Sequence, residues 1–384
     1  MMQTEKGHSL INSIVFIKHI MFQLTFFYFP IYLKSIGFTG FQIGILMSIF
    51  SITGLLMIFP VGILNDRVIS RNLIIASFII ASICYSAVII TDIFGLMIII
   101  FFFIGLFANL SSTSINSLIY KTIEHSKARA LGNLTFWRSL GSAFGIIISS
   151  FILIKLQFYY LFIFTAILSI ILALFSLKLP KTKTKFVSLI EYKTNFFRKE
   201  VLLFASIMFL NAIHWGAEQT SYSLFLKTNL SLGWIGMGLY MSIPIFILAF
   251  VAKKMGIKLS KKKNFNNILM TGLFFSGIGH MLMAITPLTI SFLFRILHEI
   301  GDAMIMVVMM VGVAKLFKKE NIGGESALFG LTTIISVFIF SMIFGSLGEH
   351  YGYHIPIFVS GITSLLAIPL VFKFSTTFSN ISKN

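Results

Sequence analysis

Apolar runs of about twenty residues, each closed by a short polar or basic break, repeat along the whole chain. Twelve are visible, over about 11–33, 41–61, 72–91, 94–119, 134–156, 158–179, 201–226, 233–252, 266–286, 288–316, 326–348 and 354–373. Each has the length a helix needs to cross a hydrocarbon core of about 30 Å. None alternates polar and apolar positions in the ten-residue units of a membrane β-barrel. The pattern predicts an all-α membrane protein with twelve transmembrane helices. The first run contains Lys18 and His19 and has no small-residue cleavage site, so it reads as a first span and not a removed signal peptide.

Composition agrees with lipid as the solvent. Only 11% of the 384 residues are charged and 57% are hydrophobic, whereas a soluble domain carries about a quarter charged residues. The net charge of +18 taken alone suits a nucleic-acid partner, but its distribution argues for none. Twenty-four of the 30 Lys and Arg residues fall in alternate breaks and at the two termini, with seven in 178–199 and six in 253–263. The opposite breaks hold only Lys34, Lys155 and Lys227. By the positive-inside rule both termini are cytoplasmic. Cys84 is alone, which leaves no disulfide, thiolate metal site or redox pair. No G-x-x-x-x-G-K-[ST] loop is present for ATP, and no cofactor is expected.

The chain also repeats itself. Offset by 192 residues, Ile43-Gly44 falls on Ile235-Gly236, Gly132 on Gly324 and Tyr159 on Tyr351. Six runs lie on either side of the basic break, predicting two duplicated six-helix bundles, 1–179 and 201–384, joined by a cytoplasmic linker over 180–200. Internal repeats of this kind mark secondary transporters. Between runs 2 and 3 lies "GILNDRVISR" (Gly62–Arg71). Orientation in the membrane needs no acid, so Asp66 asks for another role. A carboxylate beside a helix end, with arginines near it, can bridge two elements in one state and release them in another. The stretch resembles the G-x-L-x-D-R-x-G-R-R/K loop of the major facilitator superfamily. Gly62, Leu64, Asp66, Arg67 and Arg71 match it, while Ile69 and Ser70 depart. In that family the loop latches the two halves together in the outward-facing state, and the resemblance assigns those five residues to a conformational latch. The break in the second half has Lys258 where the acid would fall. "FPIYLKSIGFTGFQIGIL" (Phe29–Leu46) is similar to the join of spans 1 and 2 in the same family. "RALGNLTFWRSLGSAFG" (Arg129–Gly145) is similar to the span 4–5 junction of its lactose permease and phenylpropionate permease branch.

Charges inside a span are costly in lipid, so the ones present are functional candidates. In span 10, "RILHEIGD" puts Arg295, His298, Glu299 and Asp302 at i, i+3, i+4 and i+7, on one helical face. Span 7 adds Asn211, His214 and Glu218 at i, i+3 and i+7, with Trp215 alongside. Counted from the outer ends of the two antiparallel spans, Glu218 and Arg295 lie about 12 and 10 Å deep, His214 and Glu299 about 18 and 16 Å. Two level pairs are therefore predicted, Glu218–Arg295 and His214–Glu299. A carboxylate placed between a cation and a second acid can be tuned to exchange protons near neutral pH. Glu299 and Asp302, with His298, lead as proton carriers, followed by Glu218, His214 and Arg295. The same stretch resembles a generic superfamily pattern, R-x-x-Q-G-x-G-A-A, which would make Arg295 a tie between helices. His280 in span 9 reads as hydrogen-bonded packing.

The first half is polar without acids. Asn109, Ser112, Thr113 and Asn116 share one face of span 4, and span 1 offers His19 and Gln23. Lys18 reads as snorkelling to the cytoplasmic surface. Those six polar residues, with Asn211 and Trp215, are the candidates for holding solute. The family resemblance places spans 1, 4, 7 and 10 around a central cavity.

The expectation is a monomeric secondary transporter of the cell membrane, moving a small organic solute together with protons by alternating access. Proton-coupled antiport of a hydrophobic or drug-like compound competes, though spans 1 and 4 lack the acids such antiporters carry. A non-transporting sensor or a membrane enzyme competes from another class. The enzyme reading needs a convergent nucleophile–base pair or a metal cluster; His298, Glu299 and Asp302 have donors for a metal ion, but their cavity position favours proton handling and no metal is expected.

Overall fold

The computed structural model describes residues 2–38, 40–123, 127–182, 184, 188–261, 265–285 and 287–375. Lys183, Lys185, Lys262, Lys263 and Lys383 of the basic breaks and C-terminus lie outside them. Every regular element among the described residues is helical. Spans 1 to 6 are Met2–Phe26 with Phe29–Ser35, Gly40–Arg67, Ser70–Ile90, Phe94–Thr122, Lys127–Lys155 and Phe158–Ser176. A short helix, Leu189–Phe196, lies in the linker. Spans 8 to 11 are Trp234–Ser260, Phe265–Leu282, Leu288–Leu316 and Ile322–Tyr351.

Among the described residues, eleven of the twelve predicted runs form helices long and apolar enough to cross a membrane. The remaining one, Phe265–Leu282, is shorter and is diluted by Asn266, Asn267 and His280. Three spans predicted as continuous are interrupted. Span 1 breaks at Phe27 and Tyr28, just ahead of Pro30, which has no N–H to continue the ladder and restricts the residue before it. Span 12 breaks at Ala367, between His354–Leu366 and Ile368–Lys373, ahead of Pro369. Span 7 starts as the α-helix Lys199–Ala217, widens into a π turn over Glu218–Tyr222 and finishes as Ser223–Thr228.

Burial departs from that of a soluble bundle, with large apolar side chains exposed and small hydroxyl residues buried. Ile90 and Phe372 are 83% and 74% exposed, while Ser77, Ser149, Thr165 and Ser169 are fully buried. The last three satisfy their hydroxyls on carbonyls one turn back in their own helices. Small hydroxyl residues at helix contacts let backbones approach, and apolar side chains lose nothing by facing lipid.

Contacts between Cα positions divide the chain into two compact units. One comprises Met1–Ile123, Gly141–Tyr192 and Lys319–Leu331. The other comprises Glu124–Leu140, Lys193–Lys318 and Thr332–Asn384. Spans 5 and 11 therefore each contribute to both. In the first half, span 2 packs on 4, 3 on 4, 3 on 6 and 1 on 6. In the second, 8 packs on 10, 9 on 10, 9 on 12 and 7 on 12. Adding six to every number of the first set yields the second, which is what a duplicated six-helix design requires.

Candidate functional site

Spans 9 and 10 come almost into backbone contact, and two glycines allow it. A Cβ on Gly279 would lie 2.4 Å from His298 N, and one on Gly301 would lie 2.2 Å from Ser276 N. Ser276 and His280 of span 9 are thereby pressed against the polar face of span 10. Span 7 supplies the third wall, with His214 and Trp215 one turn before the π turn that begins at Glu218. Single π turns are frequent at functional sites.

All four span 10 residues are buried, as are Asn211 and His214. Arg295 bonds to Glu218 and to Glu299 through separate guanidinium nitrogens, and its planar group lies 4.8 Å over the Tyr222 ring. Asp302 accepts from Ser276 Oγ at 2.7 Å on one oxygen and from Trp215 Nε1 at 3.2 Å on the other. His214 Nε2 lies 3.2 Å from that second oxygen, while its Nδ1 bonds to the Asn211 carbonyl. His298 Nδ1 lies 3.0 Å from the Ser276 carbonyl, and its Nε2 faces Glu218 at 3.5 Å and Asp302 at 3.9 Å.

These contacts fix where protons must be. A carbonyl cannot donate, so Nδ1 of both histidines carries hydrogen. A neutral ring would then turn a bare nitrogen lone pair toward a carboxylate. The cluster charge leads to the same place. Three carboxylates against one guanidinium leave two negative charges in a buried site, a costly state until cations join them.

The predicted pair Glu218–Arg295 is present. The second predicted pair is not: His214 meets Asp302, and Glu299 folds back to Arg295 one turn earlier on the same helix, a favourable i, i+4 arrangement. His280 also departs from expectation. It is fully buried, neither ring nitrogen has a hydrogen-bond partner, and its ring lies 5.1 Å from that of His214 and 4.8 Å from that of His298. Ser276 and Tyr222, which complete the cluster, carried no sequence signal beyond their distance from a charged residue.

Among the solute-binding candidates, His19 bonds to Val15 O at 2.8 Å and Asn109 to Gly105 O at 2.9 Å, each within its own helix. Gln23 and Asn116 are half-buried, and Thr113 is buried. Asn211 accepts from Ser364 of span 12 at 3.1 Å. Lys18 does not snorkel: it is buried, and its ammonium donates to Ser112 Oγ at 2.7 Å. The acceptor that span 4 offers beside it explains the difference.

The latch residues separate. Asp66, at the end of span 2, is fully buried. It accepts from Gly323 N at 3.1 Å and Gly324 N at 2.8 Å, the first-turn donors of the span 11 helix, where a carboxylate satisfies open N–H groups and the helix dipole. Tyr192 of the linker helix donates to it at 2.9 Å, and Lys121 at the end of span 4 pairs with it at 2.9 Å. Burial and the adjacent carboxylate hold the Tyr192 phenol far above its ordinary pKa, so it stays a donor. Gly62 lets span 11 approach, since a Cβ there would lie 2.4 Å from that of Ala327. Arg67 and Leu64 are exposed, and Arg71 donates to Leu177 O at 3.3 Å, at the end of span 6. In the other unit Gly132 meets Gly256 in the same way, a Cβ on Gly132 falling 2.6 Å from Gly256 Cα. At the end of span 10, Lys127 donates to Ala314 O at 3.1 Å and Arg198 to Leu316 O at 2.6 Å.

The apolar spans and the family match together define a multi-pass membrane transporter, not an enzyme. The chain belongs to the Major Facilitator Superfamily, whose family model matches residues 11–286 and 258–380. No curated protein matches it. Its fold is shared with the human organic anion transporter MFSD10 (TETRAN), at a TM-score of 0.79 and 12% identity over 96% of this chain and 99% of that one. A POT family transporter solved with a thioalcohol-conjugated peptide superposes at 0.78, with 14% identity over 97% and 96% of the two chains. A variant of the E. coli fucose:proton symporter FucP superposes at 0.73, with 12% identity over 95% and 97%.

Proposed function

We propose that this transporter moves a small organic solute by proton-coupled symport across the cell membrane, with both termini cytoplasmic. One observation carries the reading. His214 and His298 are each wedged between a main-chain carbonyl and a carboxylate, in a cluster two charges short of neutral. Two added protons would make the cluster neutral and turn the contact between His298 Nε2 and Glu218 attractive, and their loss would make it repulsive, so the cluster must rearrange with proton load. Proton loading is thus tied to the packing of spans 7, 9 and 10. Asp302, saturated by donors, serves as the fixed anion, and Glu218, with the most exposed side chain of the three acids at 22%, is the entry point. A neighbouring fold carries the name of a fucose:proton symporter, which supports the class of coupling but not the solute. Asp66 with Gly62, Lys121, Tyr192 and the start of span 11 serves as the cytoplasmic latch.

The test is flux in proteoliposomes under an imposed pH gradient, with solutes first chosen for raising the melting temperature of the purified protein. Uptake driven by outside acid supports symport. Solute expulsion would replace it with antiport, and binding without flux would make the protein a sensor.

A further inference from the structure

Independently of any proton, the same cluster has the donor set of a metal centre. Donor atoms of His214, Glu218 and His298 lie within 4.8 Å of one another. Asp302 Oδ2 is 3.2 Å from His214 Nε2 and 3.9 Å from His298 Nε2. Both imidazoles are held from behind, Nδ1 of His214 by Asn211 O and Nδ1 of His298 by Ser276 O. Ligating histidines are held in this manner: the outer hydrogen bond sets the tautomer, orients the ring and leaves Nε2 free to coordinate. A third imidazole stands beside them. His280 is fully buried with both nitrogens unbonded, and its ring lies 5.1 and 4.8 Å from the other two. A buried polar ring without a partner is an unfavourable arrangement that a coordinate bond would relieve.

Charge points the same way. Glu218, Glu299 and Asp302 against Arg295 leave two negative charges, which one divalent cation with neutral imidazoles cancels. Imidazole and carboxylate donors without a thiolate suit Zn²⁺, Co²⁺ or Ni²⁺; Mg²⁺ and Ca²⁺ prefer all-oxygen sites. We propose that His214, Glu218 and His298, with Asp302 and His280 within reach, bind a single divalent d-block cation between spans 7, 9 and 10. The site uses the residues of the coupling reading without depending on proton movement.

Tag-free full-length protein, stripped with chelator and monodisperse in detergent, is titrated with CoCl₂ while visible ligand-field absorption is followed. One Co²⁺ per chain is expected, displaced by ZnCl₂ and untouched by MgCl₂. His214→Gln and His298→Gln should each weaken Co²⁺ binding at least about tenfold, with metal-free melting curves reporting whether each variant folds. X-ray absorption of the bound Co²⁺ decides the matter on wild type alone: two or more imidazole ligands support the site, and none overturns it. No bound Co²⁺, or undiminished binding in both folded variants, also overturns it. Acid-driven uptake in chelator-treated proteoliposomes is scored separately, so loss of the metal site and loss of symport are distinguishable results.

Discussion

At the residue scale, the cluster assigns separate jobs to side chains of similar chemistry. Asp302 takes three donors from two spans, His214 and Trp215 of span 7 and Ser276 of span 9, which suits the fixed anion of the proposed coupling. On the proposed coupling, Asp302→Asn removes the anion that His214 Nε2 faces. Gradient-driven accumulation should vanish while solute exchange between equal pools continues, which counterflow in proteoliposomes measures. Glu299→Gln should behave alike. At Asp66, Tyr192→Phe removes a hydrogen bond to a buried carboxylate, so thermal unfolding should show a loss of about 1.5–3 kcal/mol. The helical period of 295, 298, 299 and 302 made one shared face legible in the sequence. The partner assignments were not, because depth counted along two helices ignores the bond Arg295 makes to Glu299 within its own. Asp66 was legible as an anomaly, but its partners arrive from positions 121, 192, 323 and 324, and two of them are main-chain N–H groups with no side-chain signature.

At the scale of elements, lipid did most of the specifying. A run of twenty apolar residues has one stable solution in hydrocarbon, a helix with every backbone group satisfied, and the spans were accordingly readable. Their interruptions were less so. Pro30 and Pro369 sit at the breaks in spans 1 and 12 and were available as signals. The π turn at Glu218 has no such mark, since one extra residue in a turn leaves hydropathy unchanged. Helix proximity at the cluster rests on Gly279 and Gly301. Gly279→Ala would drive a methyl group against the His298 backbone, forcing spans 9 and 10 apart. A loss of about 1–3 kcal/mol in thermal unfolding is expected, together with weaker proton-driven uptake, because His280 and Ser276 move with the helix.

At the scale of the whole molecule, the offset of six between the packing pairs of the two halves shows how far duplication extends. The halves match in their scaffold and differ in their charges, with acids at the buried cluster confined to spans 7 and 10 and an uncharged polar face on span 4. On the proposed division at the linker, a chain cut between residues 184 and 185 and co-expressed as two pieces should reassemble and recover measurable uptake; each piece alone should carry none. The paired imidazoles also set an energetic scale. If both rings load and unload together, each turnover carries two elementary charges with its cargo. Across 100 mV that amounts to about 4.6 kcal/mol, equivalent to roughly a two-thousandfold concentration ratio of an uncharged solute. A single ionisable ring in the same place would sustain only about the square root of that ratio, so the steady-state accumulation of a neutral cargo at a clamped voltage counts the working histidines.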